Sequence, residues 1–327
     1  MNAQRIGVML NVLMTFAALG LSAAVTAQTW PTRPITIVVG TPPGGGFDAY
    51  ARTITDRLSR SLGQQVLVEN RPSAGANMSA EYVAKTTADG YTLLVGSAAL
   101  IEINPLTFSG LRWKVADFRP IIKGVEAPLV FVTHPKIPAR NFAQFAAWLK
   151  SNRGKVAYAS FSPGTPSHFL GYQLNERLAA EMVHVPYKGS GPQVSDLLGG
   201  HVLLGFTQVQ TALPHIKTGK LNALATTGAA RYPSMPDVPT FEELGEKDFI
   251  ATIWFGLFAP AAVPETVYRR LVEAAKVTHA DPETRAALER QGFQVSGQTD
   301  PEFSAGIRAR SERWARLIKA SGFKSQE

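Results

Sequence analysis

No cysteine occurs anywhere in the chain. Disulfides, thiolate metal sites and cysteine nucleophiles are therefore excluded, and the fold has to be held by packing and hydrogen bonding alone. Histidine is scarce too. The six present, at positions 134, 168, 184, 201, 215 and 279, lie too far apart for an H-x3-H or HExxH zinc pattern. A G-x-S-x-G nucleophile elbow is missing. Beyond residue 21 no apolar run is long enough to cross a bilayer. Internal repeats and low-complexity segments are absent.

Acidic charge is in deficit: 25 Asp and Glu stand against 33 Lys and Arg, a formal net charge of +8. The basic residues are scattered, and no aromatic-basic pattern suggests nucleic acid as a partner. The surplus reads as mild attraction for anions.

The first 27 residues carry one charge, Arg5, then an apolar stretch from Ile6 to Leu21 and small residues up to Ala27. This pattern predicts a secretory signal peptide over 1–27, cut after Ala27, in preference to a retained anchor. With no twin-arginine pair, export in the unfolded state is expected. The mature chain is expected to lie outside the cytoplasm. With 327 residues, 45% hydrophobic and 18% charged, there is room for two ordinary domains.

"ITIVVG" (35–40) is β-branched and apolar, as suits a strand buried on both faces of a parallel sheet. Asp48 is expected to cap the helix that follows, whose Ala51, Ile54, Leu58 and Leu62 share a face and whose stop is Gly63. With strands at "QVLVE" and "YTLLVGS" and a helix between them, the N-terminal third reads as β-α-β-α-β. A second α/β series starts near residue 129. It comprises the helix "NFAQFAAWLK", the strand "KVAYAS", a helix over 166–181, the strand "VHVPY" and the helix "GPQVSDLLGG". A strand at "ATIWFGLFAP" and two terminal helices close the chain, and periodicity leaves open which domain those helices join.

The loop between the first strand and helix reads Gly44, Gly45, Gly46, Phe47, Asp48, Ala49. It fits the dinucleotide pattern G-x-G-x-x-A, with Glu69 ending the next strand. Pro42 and Pro43 before the glycines, a carboxylate where pyrophosphate would lie, and export in the unfolded state all count against a nucleotide. Glycines at a helix N-terminus suit a small anion such as a carboxylate better. "YASFSPGTPSHFLGYQL" (158–174) repeats the arrangement, with Thr165 at the N-cap and Pro166 at the first helical position. Ser162, Gly164, Thr165, Ser167 and His168 are its candidate contacts, the last two expected to be exposed. His168 beside Ser162 or Ser167 is the pairing to inspect for catalysis, though a capping or ligand-contact histidine is the expectation. "VPYKGSG" (185–191) is a third such loop, offering Tyr187 and Lys188.

The chain resembles the substrate-binding receptors of tripartite tricarboxylate transporters, the TctC-like or Bug family. The blocks that carry the resemblance run nearly end to end. They include "WPTRPITIVVGTPPGGGFDAYAR", "VLVENRPSAGANMSAEYVAKTTADGYTLLVGS", "YASFSPGTPSHFLGYQL", "VHVPYKGSGPQVSDLLGGHV", "RYPSMPDVPTFEELG" and "WFGLFAPAAVPETV". It implies an α/β, two-domain periplasmic binding protein of the type II, flytrap-like kind, each domain a mostly parallel sheet flanked by helices. Domain 1 would hold residues 28–128 and 253–327, domain 2 residues 129–252, with the ligand cleft between them.

By position, the resemblance implies ligand contacts at Thr41, Pro43, Gly45, Gly46, Phe47, Asp48, Ser97 and Ala98 on one side. On the other it implies Ser162, Gly164, Thr165, Ser167 and His168, to which Phe161, Tyr187, Thr207 and Gln208 are added as candidate contacts. Many relatives have a small or hydroxyl residue where Phe47 stands, and relatives often have an acid where Thr207 stands. A carboxylate without an amino group, aliphatic or aromatic, is therefore expected rather than an amino acid. No catalytic residue, metal or cofactor is expected. The partners would be a small carboxylate and a large and a small multi-pass membrane protein, with the receptor itself a monomer. The rival functions are an exported NAD-dependent oxidoreductase and a ligand-sensing subunit for a signalling receptor.

Overall fold

The computed structural model describes residues 30–324. The expected signal peptide lies outside the described residues. Among these, no helix is long and apolar enough to cross a membrane.

Strand β1 (Ile35–Val39) is buried at every position but Thr36, and it lies between β2 (Val66–Asn70) and β3 (Thr92–Ser97) in parallel register. Helix α1 (Gly46–Leu62) covers one face with Tyr50, Ala51, Ile54, Leu58 and Leu62. Gly63 ends it at φ 74°, a left-handed conformation that costs glycine little, with its N–H on Ser59 O. Helix α2 (Asn77–Lys85) leads into β3. Beyond β3 the chain makes a π-helical turn, Ala98–Ile103, that runs into the short α3 (Asn104–Thr107); no sequence periodicity marks either.

Strand β4 (Phe118–Thr133) is followed by α4 (Phe142–Ser151), β5 (Ala157–Ser160), α5 (Pro166–Arg177), β6 (Val183–Pro186), α6 (Ser190–Gly199), β7 (Leu204–Gln208), α7 (Val209–Lys217) and β8 (Asn222–Thr226). Strand β9 (Thr252–Pro260) precedes α8 (Glu265–Ala280), α9 (Pro282–Arg290), β10 (Gln294–Gln298) and α10 (Glu302–Ser321). The strand order is β2-β1-β3-β9-β4-β7-β5-β6, with β8 and β10 also on β4. The outer groups β2-β1-β3 and β7-β5-β6 are parallel, whereas β9 and β4 run antiparallel to each other and to their outer neighbours.

Strand β4 is long enough to serve two sets of partners in turn, β9 and β10 first, then β7 and β8. As far as Pro128 it pairs with β9, and from Leu129 it pairs with β7. Phe131, on the second stretch, packs against Phe145 and Phe206 at centroid distances of 5.0 Å each, and all three rings are fully buried. Burying one such ring stabilises by roughly 1.5–3 kcal/mol. Helix α8 returns to α1: Tyr50 meets His279 at 3.0 Å and Arg57 pairs with Asp281. Helix α10 reaches over α5, where Tyr172 donates to Ala320 O and Phe169 packs on Trp314.

Candidate functional site

A cavity of about 290 Å³ opens where the carboxyl ends of the strands meet the starts of the helices. Open α/β sheets place ligands at such strand ends. Its lining includes the first residue or N-cap of five helical elements: Gly45 and Gly46 of α1, Ala98 of the π-helical turn, Pro166 of α5, Ser190 of α6, and Gln208, the N-cap of α7. A helix start leaves backbone N–H groups unbonded and carries partial positive charge, so five together make an electropositive chamber. None of the lining residues is charged. Phe47, Phe161, Ile253, Trp254 and Phe255 supply apolar surface, with Phe47 and Phe255 at a centroid distance of 4.6 Å. Thr41 Oγ1 is buried at the edge of this space without a hydrogen-bond partner among the described residues.

Of the residues expected at the site, Thr41, Gly45, Gly46, Phe47, Ser97, Ala98, Phe161 and Gln208 line this cavity. Asp48 does not. It occupies the third position of α1, the N-cap is Gly45, and the cap makes no side-chain bond. Asp48 is a loop clamp: its Oδ2 accepts from Gly44 N at 2.9 Å, both oxygens accept from Arg52 Nε at 3.0 Å, and Oδ1 accepts from Asn70 Nδ2 at 2.9 Å. Burial pushes its carboxyl pKa up, but the bonds from Arg52, Gly44 and Asn70 outweigh that and hold it below the usual value. With three partners and 3% exposure, it is not placed to hold a ligand ammonium.

The second loop also differs from expectation. Thr165 is the N-cap of α5 and Pro166 its first residue, but the threonine hydroxyl donates to Ser162 O at 2.7 Å instead of capping the helix. Ser167 is fully buried, not exposed, and its Oγ accepts from Phe161 N at 3.1 Å. His168 is half-buried, its Nδ1 accepting from Gly164 N, and its ring stacks on His184 at 3.9 Å with 6° between the planes. Burial brings both histidines down to about 4, and the neighbouring His184 lowers His168 further. Ser162 Oγ donates to Pro163 O, so the Ser–His pairing that the sequence suggested does not form. The serine that meets a histidine is Ser160, fully buried beneath the loop and 2.7 Å from His184 Nε2.

Ser162, Gly164, Thr165, Ser167 and His168 thus build the loop that presents Phe161 and Pro166, and do not themselves line the cavity. Pro43 is exposed in the turn before α1. Tyr187 donates to Asp196 at 2.8 Å, Lys188 is exposed, and Thr207 lies fully buried opposite Val130. The third loop reaches the cavity through Gly189 and Ser190 instead. Sequence reasoning missed these two, although Gly-Ser-Gly-Pro at a helix start was a legible signal. It also missed Ile253, Trp254 and Phe255, which β9 carries in from more than forty residues beyond the nearest loop. Trp254 is held from behind: its Nε1 donates to Glu102 Oε1 at 2.9 Å, which also accepts from Arg310 Nε at 2.7 Å, while Trp314 Nε1 donates to Glu102 Oε2 at 3.3 Å. Among the described residues no group of three His, Asp or Glu side chains is arranged to hold a metal ion.

Residues 50–323 match the model of the tripartite tricarboxylate transporter family receptor, TctC. Protein BugT of Bordetella pertussis is 35% identical over 99% of both chains. A protein in the tcbD-tcbE intergenic region of Pseudomonas sp. strain P51 is 34% identical over 89% of this chain and 87% of its own. Among solved structures, the periplasmic binding protein BugD superposes with a TM-score of 0.77 at 32% identity, covering 91% of this chain and 100% of that one. R. palustris Rpa4515 with adipate superposes at 0.80 and 28% identity with the same coverage. MatC from Rhodopseudomonas palustris with bound malate does so at 0.74 and 29%, covering 88% of this chain and 100% of that one. The chain belongs to the TctC family of tripartite tricarboxylate transporter receptors, which are α/β periplasmic binding proteins and not enzymes.

Proposed function

We propose that this protein is an extracytoplasmic receptor that captures a small organic carboxylate in the cavity between Gly45–Gly46 and Ser190 and delivers it to the membrane subunits of a tripartite tricarboxylate-type transporter. The observation that carries the reading is the meeting of five helix starts around an uncharged, partly aromatic cavity. Neutral donors and aligned dipoles stabilise one anionic group without a salt bridge, and the rings exclude water from the rest of the molecule. Relatives with adipate and malate support carboxylates as the ligand class. Since no acidic side chain lines the cavity, a ligand ammonium would have no counter-charge, which favours carboxylates without an amino group over amino acids.

Capture would close two lobes about β4 and β9. Residues 28–128 with 253–327 would form one lobe and 129–252 the other, a division supported by the change of β4's partner between Pro128 and Leu129. The closed form would be what the large and small membrane proteins recognise. We place the mature receptor in the periplasm, as a monomer released after Ala27, in keeping with its periplasmic relatives. A thermal-shift screen of the purified protein against di- and tricarboxylates, aromatic carboxylates, acidic amino acids and NAD tests the reading. A ligand at one hundred times its Kd adds about 2.7 kcal/mol of stability. A shift with one carboxylate class is expected; a shift with NAD alone would overturn the assignment.

A further inference from the structure

A single backbone carbonyl joins the two sides of the cavity. Gly292 O accepts from Tyr232 Oη at 2.6 Å and from Gln210 Nε2 at 2.9 Å. Both donors come from the stretch 129–252, assigned above to one lobe, and the acceptor from 253–327, assigned to the other.

Each end of this contact is anchored in a different wall. Gln210 lies on α7, two residues beyond Gln208, the N-cap that lines the cavity. Tyr232 is 3% exposed and packs in the cluster that holds Val130, Val132 and Leu197. Gly292 follows α9 and is tied to the α1 side through its neighbours. Gln291 Nε2 donates to Thr53 Oγ1 of α1 at 2.7 Å, and Phe293 meets the cavity-lining Phe255 ring edge-on at 5.6 Å. The approach is close: Gly292 stands at φ 82°, and a Cβ there would lie 3.0 Å from Gln210 Cγ and 3.4 Å from Tyr232 Oη.

A second contact between the same two stretches has a different character. Trp314 of α10 and Phe323 beyond it pack on Phe169 of α5, and Arg313 donates to the carbonyls of Asp248 and Ile250, just ahead of β9. Parting those rings would expose apolar surface to water. The two bonds on Gly292 can instead be exchanged for bonds to water at small net cost. The molecule is therefore built to open at Gly292 and to pivot at α10 and the β4–β9 pair.

We propose that Tyr232 and Gln210 are positioning residues for capture, whose hydrogen bonds to the Gly292 carbonyl latch the cavity's two walls together around a bound carboxylate. They act on the population of the closed form, and through it on how fast a carboxylate is released. The inference rests on the two-lobed capture proposed above, since it needs residues 129–252 to move as a body.

The chain has no native cysteine, so spin labels attach only where a cysteine is introduced. Lys217→Cys at the end of α7 and Glu283→Cys in the first turn of α9 place one label on each side, at exposed residues. Pulsed dipolar spectroscopy of the full protein, with no carboxylate added, then reads the separation. With Tyr232 and Gln210 in place, a short distance matching the structure is expected. Tyr232→Phe/Gln210→Leu should lower the ratio of short to long distances at least tenfold. Tyr232→Phe alone, which loses one hydroxyl, should lower it less, and it decides the matter if the double variant does not fold. A short distance missing from the protein with both residues intact, or the same mixture of short and long in all three proteins, would overturn the latch while leaving two-lobed capture standing. A single short distance in every protein would remove the lobe movement as well. The carboxylate reading is decided separately, by the thermal-shift screen.

Discussion

Trp254 and Glu102 are joined by a 2.9 Å hydrogen bond from the indole nitrogen to a carboxylate with no exposed surface, so the cavity wall is tied to the C-terminal helix. Arg310 and Trp314, both on α10, bond to the same carboxylate. Removing one partner of a buried ion pair strands the other, at about 3–5 kcal/mol. Since the Arg310 side chain is 28% exposed, Glu102→Ala should fall at the lower end of that range. Glu102→Gln keeps one acceptor oxygen, for the Trp254 indole and Arg310, at the expense of the weaker Trp314 bond, and should cost less than alanine. Urea unfolding checks this, and an unchanged midpoint in Glu102→Ala would contradict it.

Ser167 supports the site from beneath. Its hydroxyl accepts the Phe161 N–H in a fully buried position, so Ser167→Ala leaves a donor unsatisfied. The expected loss is about 1–3 kcal/mol of stability, with weakened carboxylate binding as Phe161 shifts. Denaturation and calorimetry together report both effects. A variant with lost affinity and unaltered stability would instead make Ser167 a direct ligand contact.

Acid should loosen the protein in a defined window. His168, His184 and His279 are each brought by burial from 6.5 down to about 4, so the folded state keeps them neutral where the unfolded chain takes up protons. Their contribution is fully present above pH 6.5 and is lost as the pH falls toward about 4. Glu102, whose carboxyl is raised by burial against the pull of Arg310, acts in the opposite sense, so the comparison with a variant is the clean readout. The melting temperature of the His168→Gln/His184→Gln protein should fall less between pH 7 and 4.5 than that of the unaltered protein. Equal falls would contradict the assignment.

Gly46 leaves room for an aromatic wall. A Cβ there would sit 3.1 Å from Phe255 Cε2 and 3.2 Å from Cζ, pressing the ring toward the ligand. Gly46→Ala should weaken binding about tenfold, or ~1.4 kcal/mol. The ligand-free protein should change little in stability, because Gly46 opens α1 without a left-handed backbone and the close contact is to the rim of one ring. Affinity and melting temperature measured on one preparation decide this. Full affinity in the variant would mean that Phe255 does not bound the ligand.

The β-α-β-α-β start was legible because β-branched strands, a clean apolar helix face and Gly63 agree with one another. The loops that approach the cavity were legible for a related reason: glycine, serine and proline mark helix starts, whether they cap or bind. Which side chains those loops turn inward was not. Asp48 has the chemistry of a cap or a ligand contact, and only Arg52 and Asn70, brought beside it by the fold, turn it into a clamp. Trp254 and Phe255 read as ordinary buried strand residues until β9 is seen crossing between the two parallel groups. Strands β8 and β10 are short and weakly alternating. Helix α9 has a start signal in Asp281, whose side chain accepts from Thr284 N, and Pro282.

The central claim is that helix starts, with no charged side chain, hold an anionic head group. Calorimetric titration of carboxylates, each paired with its own primary amide, tests it most directly, because each pair differs in charge and hardly in shape. The account predicts saturable binding of at least one carboxylate, and binding at least a hundredfold weaker for its amide. Equal affinity within every pair that binds would contradict it.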